Sequence, residues 1–263
     1  MTAPRLPHSF SAAAVLLLAL SVPLLSGCDD ESLTAPEIQD DLFNSYVALG
    51  NSITAGFQSG GINSQTQAES YAVRLSEQMR TPFGVPTLAA PGCPPPLVQF
   101  FNESGVPAPQ RPPQTDETTC ALRDASLPPR VNNVAVPGAT VLDATSNNTS
   151  SATPLTQFIL GGQTQAQAAL TANPTFATVW IGNNNVLGPA LNGTDNATAV
   201  ETFSTQYSGM LDSLSARQSL EGGVLIGVSN IAFIPFFSPG PVYTALEQQG
   251  QFPQNFDVAP SCN

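Results

Sequence analysis

Three short stretches of this 263-residue chain hold residue types that together perform acyl transfer: Gly50-Asn51-Ser52-Ile53-Thr54, Pro137-Gly138-Ala139-Thr140 and Gly182-Asn183-Asn184-Asn185. A serine hydroxyl attacks a carbonyl carbon once a base assists its deprotonation, and the oxyanion that forms needs donors aimed at it in advance. Each stretch carries a glycine, whose missing Cβ lets the backbone turn sharply and present N–H groups to a ligand. Ser52 is the candidate nucleophile, with the Gly138 N–H and the Asn184 side chain as candidate donors. Taken singly, each stretch also reads as a plain turn or a helix cap. Their order and placement along the chain make the difference.

Each stretch follows a run that reads as a buried strand: residues 45–49, then 131–136, then 176–181. Val224-Leu225-Ile226-Gly227-Val228 makes a fourth such run. Helical patterns fall between them at residues 70–79, 163–170 and 197–216. The first has Tyr71, Leu75 and Met79 four apart, and the last aligns Phe203, Tyr207, Met210, Leu211 and Leu214 on one stripe. Strands alternating with helices predict an α/β fold, a parallel sheet flanked by helices on both faces. In such sheets reactive groups gather beyond the carboxyl ends of the strands, where all three polar stretches lie. Residues 82–130 hold nearly half of the chain's 25 prolines and read as an inserted loop region without lasting regular structure. Residues 145–154 are rich in Ser, Thr and Asn and read as surface loop.

Only 10% of residues are charged, with 7 basic residues, all Arg, against 19 acidic ones, a net charge of −12. A nucleic-acid partner needs a basic stripe, and none exists. Arg5 precedes an apolar run of roughly 15 residues interrupted by Pro23, the layout of a signal peptide and shorter than the about 20 residues of a spanning helix. The run ends in Leu25-Ser26-Gly27-Cys28, which resembles the lipobox of bacterial lipoproteins. That resemblance implies cleavage after residue 27 and lipidation of Cys28, with residues 28–43 as a tether and 44–263 as the exported domain. The protein is then held in the cell envelope by its N-terminal lipid.

Cys93 and Cys120 bracket the proline-rich insertion, and in an oxidising compartment they pair or remain free thiols. A bridge there adds about 3 kcal/mol on the chain-entropy view. Cys262 is left over. No paired Cys/His spacing suits zinc, so neither a metal nor a cofactor is expected.

The residues Tyr46 to Gly56, Asn133 to Thr140 and Trp180 to Leu187 resemble, in order, three blocks of the SGNH, or GDSL-like, hydrolases. The resemblance runs from about residue 44 to about 240 and implies a flavodoxin-like sheet of SGNH-hydrolase type. It implies Ser52 as nucleophile, and the Ser52 and Gly138 N–H groups with the Asn184 side chain as the oxyanion hole. Two positions depart from the family pattern: Asn51 and Asn185 stand where Asp is usual. The family's fourth block, Asp-x-x-His, supplies the base and its orienting carboxylate. The chain's one histidine is His8, inside the signal-peptide reading, so the domain holds none. The expectation is an envelope-anchored serine ester hydrolase acting on an acyl ester or lipid, inactive as this fragment because the Asp-x-x-His block lies beyond Asn263. The alternative is a non-catalytic lipoprotein that binds a ligand in the same cleft. Ile231, Phe233, Ile234, Phe236 and Phe237 line an acyl pocket or pack in the core.

Overall fold

In a computed structural model of the chain, the described residues are 37–105, 107–121, 123, 130–146, 154–231, 234, 240–251 and 258. The signal peptide, Cys28, most of the tether, Cys262, Phe233, Phe236 and Phe237 lie outside them. In chain order the elements are β1 (Tyr46–Gly50), α1 (Ser52–Ala55), α2 (Ser64–Ala68), α3 (Tyr71–Met79), β2 (Gln99–Phe101), β3 (Pro107–Gln110) and α4 (Pro154–Leu160). There follow α5 (Gln165–Thr171), β4 (Phe176–Trp180), α6 (Asn184–Asn192), α7 (Val200–Ser215), β5 (Gly222–Leu225) and α8 (Gly240–Gln248).

β1, β4 and β5 form a parallel sheet in that order, with Tyr46 opposite Phe176, Gly50 opposite Trp180 and Phe176 opposite Gly222. Every residue of β1 is buried, as an unbroken apolar run in a sheet covered on both faces should be. Val47 and Leu49 point to the side where Ala168, Ala169, Met210 and Leu214 of α5 and α7 pack. Tyr46 and Ala48 point to the other, against Ala72 and Met79 of α3. The Tyr46 hydroxyl shares a buried hydrogen bond of 2.8 Å with Thr178 Oγ1, and burial pushes its pKa well above the ordinary phenol value. The architecture is α/β with helices flanking a three-stranded parallel sheet, compatible with a flavodoxin-like fold.

Three expectations change. Residues 131–136 do not form a full strand. Ala48 N–H donates to Asn132 O, Val134 N–H to Ala48 O and Val136 N–H to Gly50 O, so the segment runs beside β1, yet only Ala48 and Asn133 make a bridge. The Gly50 N–H between those contacts goes to a side chain instead, that of Gln165 at 2.9 Å. β5 starts at Gly222 and ends at Leu225, short of Val228. Among the described residues it is an edge strand, and Val224 and Leu225 are 47% and 55% exposed. The proline-rich insertion contains a short antiparallel ladder, β2 with β3, because an isolated two-stranded ribbon leaves proline positions free of any ladder donor. Cys93 and Cys120 form a disulfide, and Arg111 donates to the Gly60 and Pro95 carbonyls, tying the insertion to the loop after α1.

Candidate active site

The nucleophile loop is set by where β1 stops. Asn51, 1% exposed, caps α1, its Oδ1 accepting from Ile53 N–H at 3.4 Å. Ser52 is then the first residue of the helix and half-buried. Among the described residues nothing hydrogen-bonds to its Oγ or its N–H, so both are left for a ligand. Asn133, from the second block, donates its Nδ2 to Thr54 O at 2.9 Å and fixes α1 against the neighbouring segment.

The second loop is braced residue by residue. Gly138 has φ +81°, a left-handed conformation that side chains disfavour, and its exposed N–H has no acceptor among the described residues. Asn184 Nδ2 donates to Ala139 O at 2.8 Å. Asp143 Oδ2 accepts from Thr140 N–H and Oγ1 at 2.7 and 2.8 Å. Asn185 Oδ1 accepts from Val141 N–H at 3.0 Å. Three consecutive residues after Gly138 are thus each held by a side chain. An amide nitrogen carries two hydrogens, so Asn184 keeps one free for an oxyanion while the other orients it.

Asp143 escaped the sequence reading. Its signal was the Thr140-x-x-Asp143 spacing, which suits a local side-chain to backbone turn. It is 1% exposed, and its Oδ1 has no partner among the described residues. Burial pushes its carboxyl above the usual carboxylate range, and the Thr140 bonds pull partly the other way.

The two departures at Asn51 and Asn185 have different local consequences. Asn185 donates Nδ2 to Thr198 Oγ1 at 3.0 Å while accepting from Val141, so both ends of the amide are used. A carboxylate there would accept both bonds but bury a charge, which costs more than an amide. Asn51 instead leaves Nδ2 buried without a partner among the described residues. The third loop turns at Gly182, φ +117°, where a Cβ would come within 2.7 Å of Val228 Cγ2 and 2.9 Å of Phe203 Cε2. Only glycine passes there, and the turn delivers Asn184 and Asn185 to the second loop.

A groove of about 270 Å³ is lined by Ile53, the residue after Ser52, and by Phe57, Gln58, Glu69, Tyr71 and Trp180. A second cavity, about 370 Å³, lies at the amino end of β1 around Asn44, Phe83 and Asn132, the end where open α/β sheets carry no chemistry. The described residues include no histidine, and none of their helices is long and apolar enough to cross a membrane. The chain matches no known family profile, no curated protein and no solved structure.

Proposed function

We propose that this protein is a serine ester hydrolase of the SGNH type, anchored at the cell envelope through Cys28, with Ser52 as nucleophile and the Ser52 N–H, Gly138 N–H and Asn184 amide as oxyanion hole. The supporting observation is that the unused Ser52 hydroxyl and N–H, the unused Gly138 N–H and the oriented Asn184 amide all belong to loops that follow parallel-running segments on one side of the sheet. Donors fixed before reaction carry the largest electrostatic share of such catalysis. An acyl ester enters, Ser52 Oγ attacks its carbonyl carbon, the carbonyl C–O bond to the leaving alcohol breaks, and water later releases the acid from the acyl-serine.

The serine proton needs an acceptor, and the 263 residues hold no Asp-x-x-His. On this reading the chain by itself turns over slowly, and imidazole in solution substitutes for the missing base. The test is hydrolysis of a chromogenic activated ester with and without added imidazole. Imidazole-stimulated product release that disappears in Ser52→Ala supports the reading. Equal release in both proteins removes Ser52 from the chemistry. The lack of histidine in residues 28–263 favours one second reading, a ligand-binding lipoprotein using the same cleft. It predicts saturable ester binding with no Ser52-dependent turnover under either condition.

A further inference from the structure

Gln165 is fully buried, and its side-chain amide makes two hydrogen bonds to one residue: Oε1 accepts from Gly50 N–H and Nε2 donates to Gly50 O, both 2.9 Å. Gly50 lies two residues before Ser52, at the carboxyl end of β1. The neighbouring segment 132–136 follows β1 through bonds at Ala48 and meets it again at Gly50 O through Val136 N–H at 3.2 Å. In a continuous parallel ladder the Gly50 N–H would go to that neighbouring backbone. The Gln165 amide takes it instead, while the Val136 N–H still reaches the same Gly50 O, so the amide occupies one ladder position at the junction of the end of β1, which delivers Ser52, and the segment that delivers Gly138. Its own position is fixed: it is the first residue of α5, whose N-terminus is closed by a reciprocal pair. Thr164 Oγ1 accepts from Gln167 N–H at 3.1 Å, and Gln167 Oε1 accepts from Thr164 N–H at 2.9 Å.

We infer that Gln165 is a positioning residue whose amide wedges β1 apart from the 132–136 segment and thereby sets the spacing between Ser52 and the Gly138 N–H. The inference rests on the reading of those two as nucleophile and oxyanion donor. Its chemistry requires a neutral planar group that carries one acceptor and one donor. A carboxylate accepts from Gly50 N–H but has nothing to give Gly50 O, whereas a protonated carboxyl supplies both.

The test uses the 263-residue chain with imidazole, comparing Gln165→Glu and Gln165→Leu with wild type as ratios at each pH. At pH 8 both variants lose about 10²-fold in kcat, the scale of a 1 Å misplacement, with KM unchanged. The Gln165→Glu ratio climbs back toward wild type as pH falls and the buried carboxyl protonates, while Gln165→Leu stays low. A purely structural role would lower melting temperature without this pH-dependent recovery of kcat. If Gln165→Leu does not fold, Gln165→Glu at pH 5.5 and pH 8 carries the comparison. Wild-type kcat in both folded variants overturns the inference, and so does a Gln165→Glu deficit that is the same at both pH values. Absence of Ser52-dependent turnover in wild type overturns the functional reading instead. In that event the wedge is read from Gly50 amide protection and the Gly138 amide resonance in Gln165→Leu: loss of protection with a shifted Gly138 signal supports it, and both unchanged overturn it.

Discussion

Replacing Asn184 by alanine separates catalysis from stability more cleanly than any other change in the site. The side chain is half-buried, and its one bond among the described residues is Nδ2 to Ala139 O at 2.8 Å. Losing a single hydrogen bond of this kind costs about 1 kcal/mol of stability. Against a total of about 5–15 kcal/mol this leaves more than about 99% of the chain folded. Losing an oxyanion donor raises the barrier by about 2.7–4 kcal/mol, a fall of about 10²–10³ in kcat, so unfolding cannot imitate the catalytic effect. The assay is steady-state hydrolysis of an activated ester with imidazole, beside a thermal melt of the same sample. Asn184→Asp is the matched control, since it keeps the shape and has no hydrogen to give an anion. Both variants lose kcat with KM close to wild type. A kcat for Asn184→Ala within about threefold of wild type, in a reaction that Ser52→Ala abolishes, refutes the donor assignment.

Three further outcomes follow from the same geometry. Because the Asp143 carboxyl is pushed up in the folded state by burial, the folded protein binds its proton more readily than the unfolded chain, and stability falls as pH rises through the folded pKa. Asp143→Asn lacks this cost, so the melting-temperature difference moves in the variant's favour between about pH 4 and pH 7; a constant difference contradicts it. Cys93→Ser opens the bridge to Cys120, 27 residues away, and lowers unfolding free energy by about 3 kcal/mol in denaturant titration, whereas an unchanged midpoint assigns the bridge no stabilising role. Gly182→Ala forces a Cβ onto Val228 and Phe203 at a positive φ and costs about 1–3 kcal/mol together with Ser52-dependent turnover; wild-type values for both remove the steric argument.

The strands that position the site were legible because buried parallel strands write themselves as apolar runs: residues 45–49 and 176–181 coincide with β1 and β4 within a residue or two. Helix α3 was equally plain, starting one residue after Ser70, whose side chain caps it. Segment 131–136 reads as a strand by composition, and it fails to be a full one because a side chain 115 residues away from Gly50 occupies a ladder position. No local pattern announces such a long-range substitution, though the Thr164-x-x-Gln167 capping box does place Gln165 in the first turn of α5. Ser52, Gly138 and Asn184 stood out as residue types, while the brace around them did not. Asp143 left only the Thr140-x-x-Asp143 spacing as a signal, and the role of Asn185 depends on the folded path of residues 139–141, which no spacing rule encodes.

The account stands on Ser52 being a reactive nucleophile. Incubating the 263-residue chain with a fluorophosphonate in imidazole buffer, then mapping the adduct by peptide mass spectrometry, addresses it directly. The expected result is a single phosphonylated site at Ser52, absent in Ser52→Ala and slowed in Asn184→Ala. No adduct at Ser52, or equal labelling of wild type and Ser52→Ala, contradicts the account.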